Sequence, residues 1–350
     1  MTRKTIGWLM LLSLVVFVGI GIWKTRVAQD APTWTFERRP EGIMGTECLL
    51  RVVVDREMSA RAEQILDAAE ARIRFVEAVA SNWIDSSELS RLNSAPALEK
   101  IQLSSTLSSI LKESQSVFAL SEGAFDVTCR PLIVLWKDAG RLGQVPDESA
   151  IAEARASSRW DLVSWVDDGL IKREAGVCFD LGGVAKGFAM DEAVDVMMRL
   201  GVAGALVDIG GDLKTAGRSS AQDGIWSVDV RDPDGEGVIG TLRVSGGMAV
   251  CTSGHYARFV TIAGKRYSHI LDPRSGIPVD NVPSVTVLGN SAMSVDAWAT
   301  ALSVIGEPGL ERLPAGMQAV IVRRKTAADG SRWITTPGVD FTPTLDSVHP

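Results

Sequence analysis

The chain has 350 residues, 46% of them hydrophobic, which is enough to bury a substantial core and excludes disorder as a description of the whole. Thirty-six Lys and Arg stand against 43 Asp and Glu, a net charge of −7, which excludes the basic footprint of a nucleic-acid binder. The first 26 residues hold Arg3, Lys4, Lys24 and Arg26 and no acid, so the remainder is more acidic still and must hold any anionic ligand by local devices.

Thr5 to Trp23 is a run of nineteen residues without a charge, bracketed by those four basic residues. At about 1.5 Å per residue it can span a bilayer core of roughly 30 Å, and Trp8 and Trp23 stand where interfacial rings belong. One N-terminal transmembrane helix within residues 1–26 is therefore expected. It is favoured over a cleaved signal because the small-residue site at Ala28 and Ala31 is weak. Residues 27–40, polar and ending in Arg38-Arg39-Pro40, read as a linker, and 341–350 as a tail around one domain at 41–340.

Within that domain Gly45 to Val54 predicts a strand. Ser59 can cap a helix to about Ala80, with Ile65, Ala69, Ile73, Val76 and Ala80 on one face. A second amphipathic helix covers about Ser104 to Leu120. Trp160 to Val166 and Leu170 to Arg173, joined at Asp168-Gly169, predict a hairpin. A helix follows at Ala185 to Leu200, a strand at Ala205 to Ile209, and several strands between Trp226 and Ile270. Ser291 can cap a helix through about Ile305, and Ala319 to Val322 predicts a closing strand. The pattern fits an α+β domain of two packed α/β subregions better than a doubly wound fold. Cys48, Cys129, Cys178 and Cys251 lie far apart without a CxxC pair, which favours buried thiols over a zinc ribbon or a disulfide framework.

Three stretches carry candidate chemistry. In Asp180 to Asp191, paired glycines lead from an apolar strand end into a helix start, where backbone can approach a ligand and free N–H groups can meet phosphate; Lys186 adds a point charge. The spacing is neither a P-loop nor GxGxxG, and a plain glycine turn fits it too. Gly210-Gly211-Asp212 follows a strand in the same manner. In Asp296-Ala-Trp-Ala-Thr300 the spacing of four puts a carboxylate and a hydroxyl on one helix face, hard oxygen donors suited to Mg²⁺; a polar helix face with Thr back-bonding has the same pattern. In His269-Ile-Leu-Asp272-Pro273-Arg274, a histidine ends a predicted strand before a turn, an accessible place for a base titrating near neutrality or for an ordinary strand-end histidine. His255 lies in a second donor-rich stretch, Thr252-Ser253-Gly254, and His349 in the tail.

These stretches, in this order, resemble the ApbE family of FAD:protein FMN transferases. Further matching pieces are Met44-Gly45-Thr46, Ser86 to Asn93, Gly123 to Thr128 and Asp208 to Asp212, so that the resemblance spans about 260 of the 350 residues. It implies an ApbE-like, T-fold-related domain and a Mg²⁺ site made by Asp296, Thr300 and the main-chain carbonyl of Ala185. It implies FAD contacts at Met44, Trp83, Ala124, Phe125, Asp126, Gly182, Phe188 and Leu271, with His269 as general base. The implied reaction is Mg²⁺-dependent transfer of FMN from FAD to a Thr or Ser hydroxyl of an acceptor protein, with release of AMP. With the expected membrane helix, the resemblance implies a bacterial inner-membrane enzyme facing the periplasm and serving membrane redox subunits. An FAD pyrophosphatase using the same site, and a non-enzymatic FAD-binding module, are the alternatives.

Overall fold

The computed structural model describes residues 32–221, 223–254, 259–280, 282–323 and 332–344. The chain begins with β1 (Trp34–Arg38), β2 (Cys48–Val54), α1 (Ala62–Ala80), α2 (Glu88–Ser94), β3 (Lys100–Gln102), α3 (Ser105–Leu120), α4 (Arg130–Leu142) and α5 (Glu148–Ala156). Next come β4 (Val163–Val166), β5 (Gly169–Lys172), α6 (Ala185–Arg199), β6 (Gly204–Ile209), β7 (Asp212–Gly217), β8 (Trp226–Arg231), β9 (Val238–Val244) and β10 (Ala249–Gly254). The described chain closes with β11 (Phe259–Ile262), β12 (Lys265–Ser268), β13 (Leu271–Asp272), β14 (Ile277–Pro278), β15 (Ser284–Gly289), α7 (Ala292–Ile305), β16 (Gln318–Val322), β17 (Trp333–Thr335) and β18 (Phe341–Pro343).

The framework is an antiparallel sheet in the order β1-β2-β6-β7-β10-β15-β16-β17. Alternation along its strands decides what covers each face. Leu50, Val52 and Val54 of β2, Ala205 and Val207 of β6, Cys251 of β10, Val285 and Val287 of β15 and Ile321 of β16 join one core with α1, α6 and α7. The intervening Val53, Leu206, Leu213, Val250, Leu288, Val320 and Val322 form a second core under the small sheet β18-β9-β8. The eight-stranded sheet is thus sandwiched between helices and a second sheet. A doubly wound fold is excluded because every pair in the main sheet is antiparallel.

Several expected elements stand where the residues put them. Ser104 and Ser291 cap α3 and α7, accepting from the Leu107 amide (3.2 Å) and the Ser294 amide (3.3 Å). The five expected face residues of α1 are all buried. Others differ for local reasons. Ser59 does not cap α1, because its hydroxyl donates backward to the Arg56 carbonyl at 2.8 Å and the helix begins through a 3₁₀ turn. The strand expected from Gly45 begins at Cys48, since Met44 and Gly45 turn at positive φ (47° and 69°). The hairpin loop is Asp167-Asp168, as Val166 pairs directly with Gly169. β1 occupies part of the stretch read as linker, and β18 part of the tail, where it pairs with β9. All four cysteines are free, with Cys48 and Cys251 buried and the other two half-buried.

The membrane reading needs correction. Among the described residues no helix is long and apolar enough to cross a membrane. The span expected at 5–23 lies outside the described residues, so a transmembrane helix is no part of the observed fold. The inner-membrane placement, the periplasmic orientation, the membrane contact and the choice of membrane redox subunits as acceptors are withdrawn with it.

Candidate active site

The expected metal motif lies on α7, whose core-facing length is almost entirely apolar. Asp296 is only 3% exposed there, and a carboxylate so buried requires partners. It has three contacts. Lys186 Nζ lies 3.1 and 3.2 Å from its two oxygens, and the Gly187 amide donates to Oδ2 at 3.1 Å. Lys186 also reaches Asp212 Oδ2 at 3.1 Å and the Gly182 carbonyl at 3.4 Å. One ammonium therefore sits between two buried carboxylates. Burial opposes the charge on Lys186, but Asp296 and Asp212 outweigh it and hold the lysine pKa above its ordinary value. Burial pushes the Asp212 carboxyl above the usual carboxylate range against the pull of Lys186, with Asp296 adding to the rise and the Thr252 amide opposing it.

Two glycine pairs bring these groups together. Gly210 and Gly211, at φ 70° and 90°, form the two-residue turn between β6 and β7, a conformation closed to most side chains. The turn delivers Asp212 to the start of β7, where the Thr252 amide donates to it at 2.8 Å. The plain-turn reading of Gly210-Gly211 is thus correct for the glycines, and the aspartate they place is what matters. Gly182 and Gly183 lead into α6. The Asp180 carboxylate holds this turn, accepting from the Gly182 amide (3.0 Å) and from Asn82 Nδ2 (3.1 Å), with Arg130 Nη1 at 3.3 Å. Asn93 braces the segment before the turn by exchanging hydrogen bonds with the Phe179 main chain at 2.7 and 2.9 Å.

A Cβ on Gly183 would come within 3.0 Å of Thr300 Oγ1 and 3.2 Å of the Phe125 ring. The absence of a side chain there leaves an open cradle beside Thr300. The Thr300 hydroxyl is held only at long range, 3.4 Å from the Asp296 carbonyl and 3.4 Å from Ser253 Oγ, so back-bonding to the helix does not consume it. Gly187 leaves no room for any side chain, since a Cβ would lie 2.2 Å from the Ala292 carbonyl oxygen where α6 crosses α7.

The remaining expected residues divide into those that join this centre and those that do not. Gly182, Ala185 and Phe125 belong to it, Ala185 as the first residue of α6, and Phe188 is buried one turn further along that helix. Ala124 packs with Ile270 and Val304, which brings the segment after His269 against the 121–126 turn and the end of α7. His269 itself is exposed in the bend after β12. Met44 is half-buried against the helical core. Leu271 buries its side chain with Leu132, Trp136 and Ile262, in a cluster separate from the one that holds Phe125, Ala185 and Phe188. Trp83 is 82% exposed, with Lys137 Nζ 4.0 Å above its ring. Asp126 faces a cleft of about 730 Å³ that is also walled by Trp160 and Arg274. His255 and His349 lie outside the described residues.

Asp212 and Ser253 were missed as individual site residues. Asp212 closes a quoted motif, but spacing alone cannot reveal that a hairpin turn and a helix 26 residues earlier converge on one ammonium.

Asp126 yields a pH prediction. Burial pushes its carboxyl up to about 7, outweighing the two hydrogen bonds from the Thr128 amide and hydroxyl, both 2.7 Å. The unfolded value is about 3.9, so between about pH 4 and pH 7 the folded state binds more protons, and this group's contribution to stability falls as pH rises. Asp126→Asn keeps an acceptor for Thr128 and has no charge to bury. Urea unfolding should show the variant gaining on the parent from pH 4.5 to 7.5 and the gap holding constant above that. An identical pH dependence for both proteins would contradict the assignment.

Comparison with known proteins shows the family. A profile described as the ApbE family matches residues 44–321. An FAD:protein FMN transferase of Vibrio cholerae is 34% identical over 232 residues, 65% of this chain and 69% of the relative. One from Treponema pallidum is 32% identical over 284 residues, 77% and 78% of the two chains. Among solved structures, the flavin transferase ApbE from Vibrio cholerae superposes with a TM-score of 0.75 at 26% identity, covering 87% of this chain and 98% of that one. The apo flavinyl transferase ApbE of Pseudomonas stutzeri does so at 0.72 and 30% identity, covering 87% and 94%. With the matched region carrying the fold, the glycine turns and the Asp296–Lys186 centre alike, the chain belongs to the ApbE family.

Proposed function

We propose that the transfer of FMN from FAD to an acceptor protein, the activity of this enzyme, is carried out at the face of α7 that carries Asp296 and Thr300 and is directed onto a serine or threonine hydroxyl. The observation that carries the reading is the buried Asp296 carboxylate beside an open cradle at Gly183 and Thr300. Those donors fit Mg²⁺: a carboxylate and a hydroxyl are hard oxygen ligands, and this ion rarely needs a full protein cage. Asp296, Thr300 and the Ala185 carbonyl would hold it. When bound, the ion supplies positive charge to the FAD pyrophosphate and to the charge that develops as the bond to AMP breaks.

The chain's own residues do the rest. The Gly182-Gly183 turn admits the pyrophosphate close to backbone, and Lys186 contributes a fixed positive charge within reach of it. The aromatic ring of Phe125 and the exposed indole of Trp83 offer flat surface to the rings of FAD. A ring nitrogen of His269 takes the proton from the acceptor hydroxyl. The new bond joins that oxygen to the FMN-side phosphorus, the phosphoanhydride bond breaks, and AMP leaves with the bridging oxygen. Net transfer therefore yields AMP and a phosphoester-linked FMN.

The test incubates the full chain with FAD, Mg²⁺ and a folded acceptor protein bearing an exposed threonine loop. A covalent flavin band on the acceptor and stoichiometric AMP are expected, with His269→Ala strongly slowed. Free FMN and AMP without labelled acceptor would instead establish hydrolysis of FAD.

A further inference from the structure

Because α7 carries Asp296 and Thr300, the aim of that helix fixes both. Its first turn is held by a residue of another helix. The Asp191 carboxylate on α6 accepts from the amides of Ala292 (2.9 Å) and Met293 (3.0 Å) and from the Ser291 hydroxyl (3.1 Å). Ser291 Oγ serves the Ser294 amide, and the Val295 amide begins the helical ladder onto the Ser291 carbonyl. The exposed donors of the helix start are therefore all satisfied, two of them by a carboxylate that also faces the positive end of the helix dipole.

The charge of Asp191 is balanced from the sheet. Lys214 Nζ on β7 lies 3.5 Å from it and also donates to the carbonyls of Gly247 and Asn290. Asp212 and Lys214 are two residues apart and share one face of β7, while Leu213 between them packs into the core on the other side. Helix α6 and strand β7 thus exchange two ion pairs of opposite sense, Lys186 with Asp212 and Asp191 with Lys214. Each α6 partner also reaches α7, Lys186 at Asp296 and Asp191 at the first turn. From this juxtaposition we infer that Asp191 is a positioning residue for FMN transfer: it pins the start of α7 to α6 and so sets where Asp296 and Thr300 stand, without touching the substrate. The metal-affinity readout below rests on the Mg²⁺ reading proposed above; the kinetic readout does not.

A plain helix cap would affect stability alone. The discriminating experiment measures Mn²⁺ binding by electron paramagnetic resonance on the full chain without FAD, and separately kcat and the KM for FAD. Asp191→Ala is expected to weaken Mn²⁺ binding by roughly 10–100-fold, as loss of a ligand-orienting residue does. It is also expected to lower kcat with little change in KM, the signature of an interaction that acts on the transition state. Asp191→Asn keeps one carbonyl acceptor and should recover part of both losses. Parent-like Mn²⁺ affinity and kcat in Asp191→Ala, with only a lower melting temperature, would reduce Asp191 to a cap and overturn the inference. If Asp191→Ala does not fold, Asp191→Asn against the parent decides on the same readouts. If the parent binds no Mn²⁺, the metal reading fails by itself and the kcat–KM split decides: a fall in kcat at constant KM supports positioning, and an unchanged kcat ends it.

Discussion

Asp296→Asn is expected to slow FMN transfer by roughly 10²–10³-fold, the range found when one charge-stabilising group is removed from an active site, while the protein stays folded. Asparagine is isosteric and retains one oxygen for the Gly187 amide, which now approaches Oδ2 at 3.1 Å. The electrostatics after the change are also tolerable. Lys186 keeps Asp212 at 3.1 Å, so the substitution leaves one ammonium with one carboxylate in place of one with two. What disappears is the excess negative charge, and that excess is what a divalent cation needs from this site if it is to be held for a polyanionic substrate. The measurement is the initial rate of acceptor labelling at saturating FAD, with FAD binding followed by flavin fluorescence. A rate within threefold of the parent at unchanged FAD binding would remove Asp296 from the machinery.

Much of the scaffold was legible because its signals are local. The stripe through Ile65, Ala69, Ile73 and Val76 and the serine caps at Ser104 and Ser291 act over one or two turns, and the structure follows them. What was not assigned fails for two different reasons. Helix α4 lies outside the predicted elements although it carries ordinary boundary signals, Pro131 in its first turn and Gly143 as a left-handed C-cap. β1 could not be read locally, because it is short and largely exposed, with no buried face of its own, and exists through its pairing with β2, reinforced by Arg38 against Glu63 on α1 at 2.7 Å.

The site divides the same way. Asp296 with Thr300, and Gly182 with Gly183, are neighbours in sequence, so spacing exposes them. The groups that complete the centre come from separate elements: Asp212 from a hairpin, Ser253 from β10, Asp191 and Lys214 from facing surfaces of a helix and a strand. Their meeting depends on the sheet register, in which Ile209 pairs with Asp212 and Val250 with Leu213. A one-residue slip would turn Asp212 and Lys214 to the opposite face, and no pattern in the sequence states that register.

Lys186→Met is expected to be among the most destabilising substitutions in this protein, at roughly 3–5 kcal/mol near pH 8, the cost of leaving buried charge without its partner. Methionine matches the length of the lysine stem and removes only the ammonium. The side chains of Asp212 and Asp296 are 6% and 4% exposed, so the two carboxylates would face the same space with nothing between them. Burial already raises the Asp212 carboxyl in the presence of Lys186, and losing the ammonium raises it further. A carboxyl whose folded pKa exceeds its unfolded value favours the folded state at low pH and loses that advantage as pH climbs through the folded value. The deficit of the variant should therefore be small near pH 4.5 and grow toward pH 8 in urea unfolding experiments. Asp212→Asn in the same chain should recover a large part of it, because a single carboxylate then remains. Mg²⁺ should stabilise Lys186→Met more than it stabilises the parent, since a divalent cation can serve the carboxylates that the ammonium has left. A variant within about 1 kcal/mol of the parent at pH 8 and unresponsive to Mg²⁺ would show that Lys186 does not balance this pair, because unmatched buried charges cost more than that.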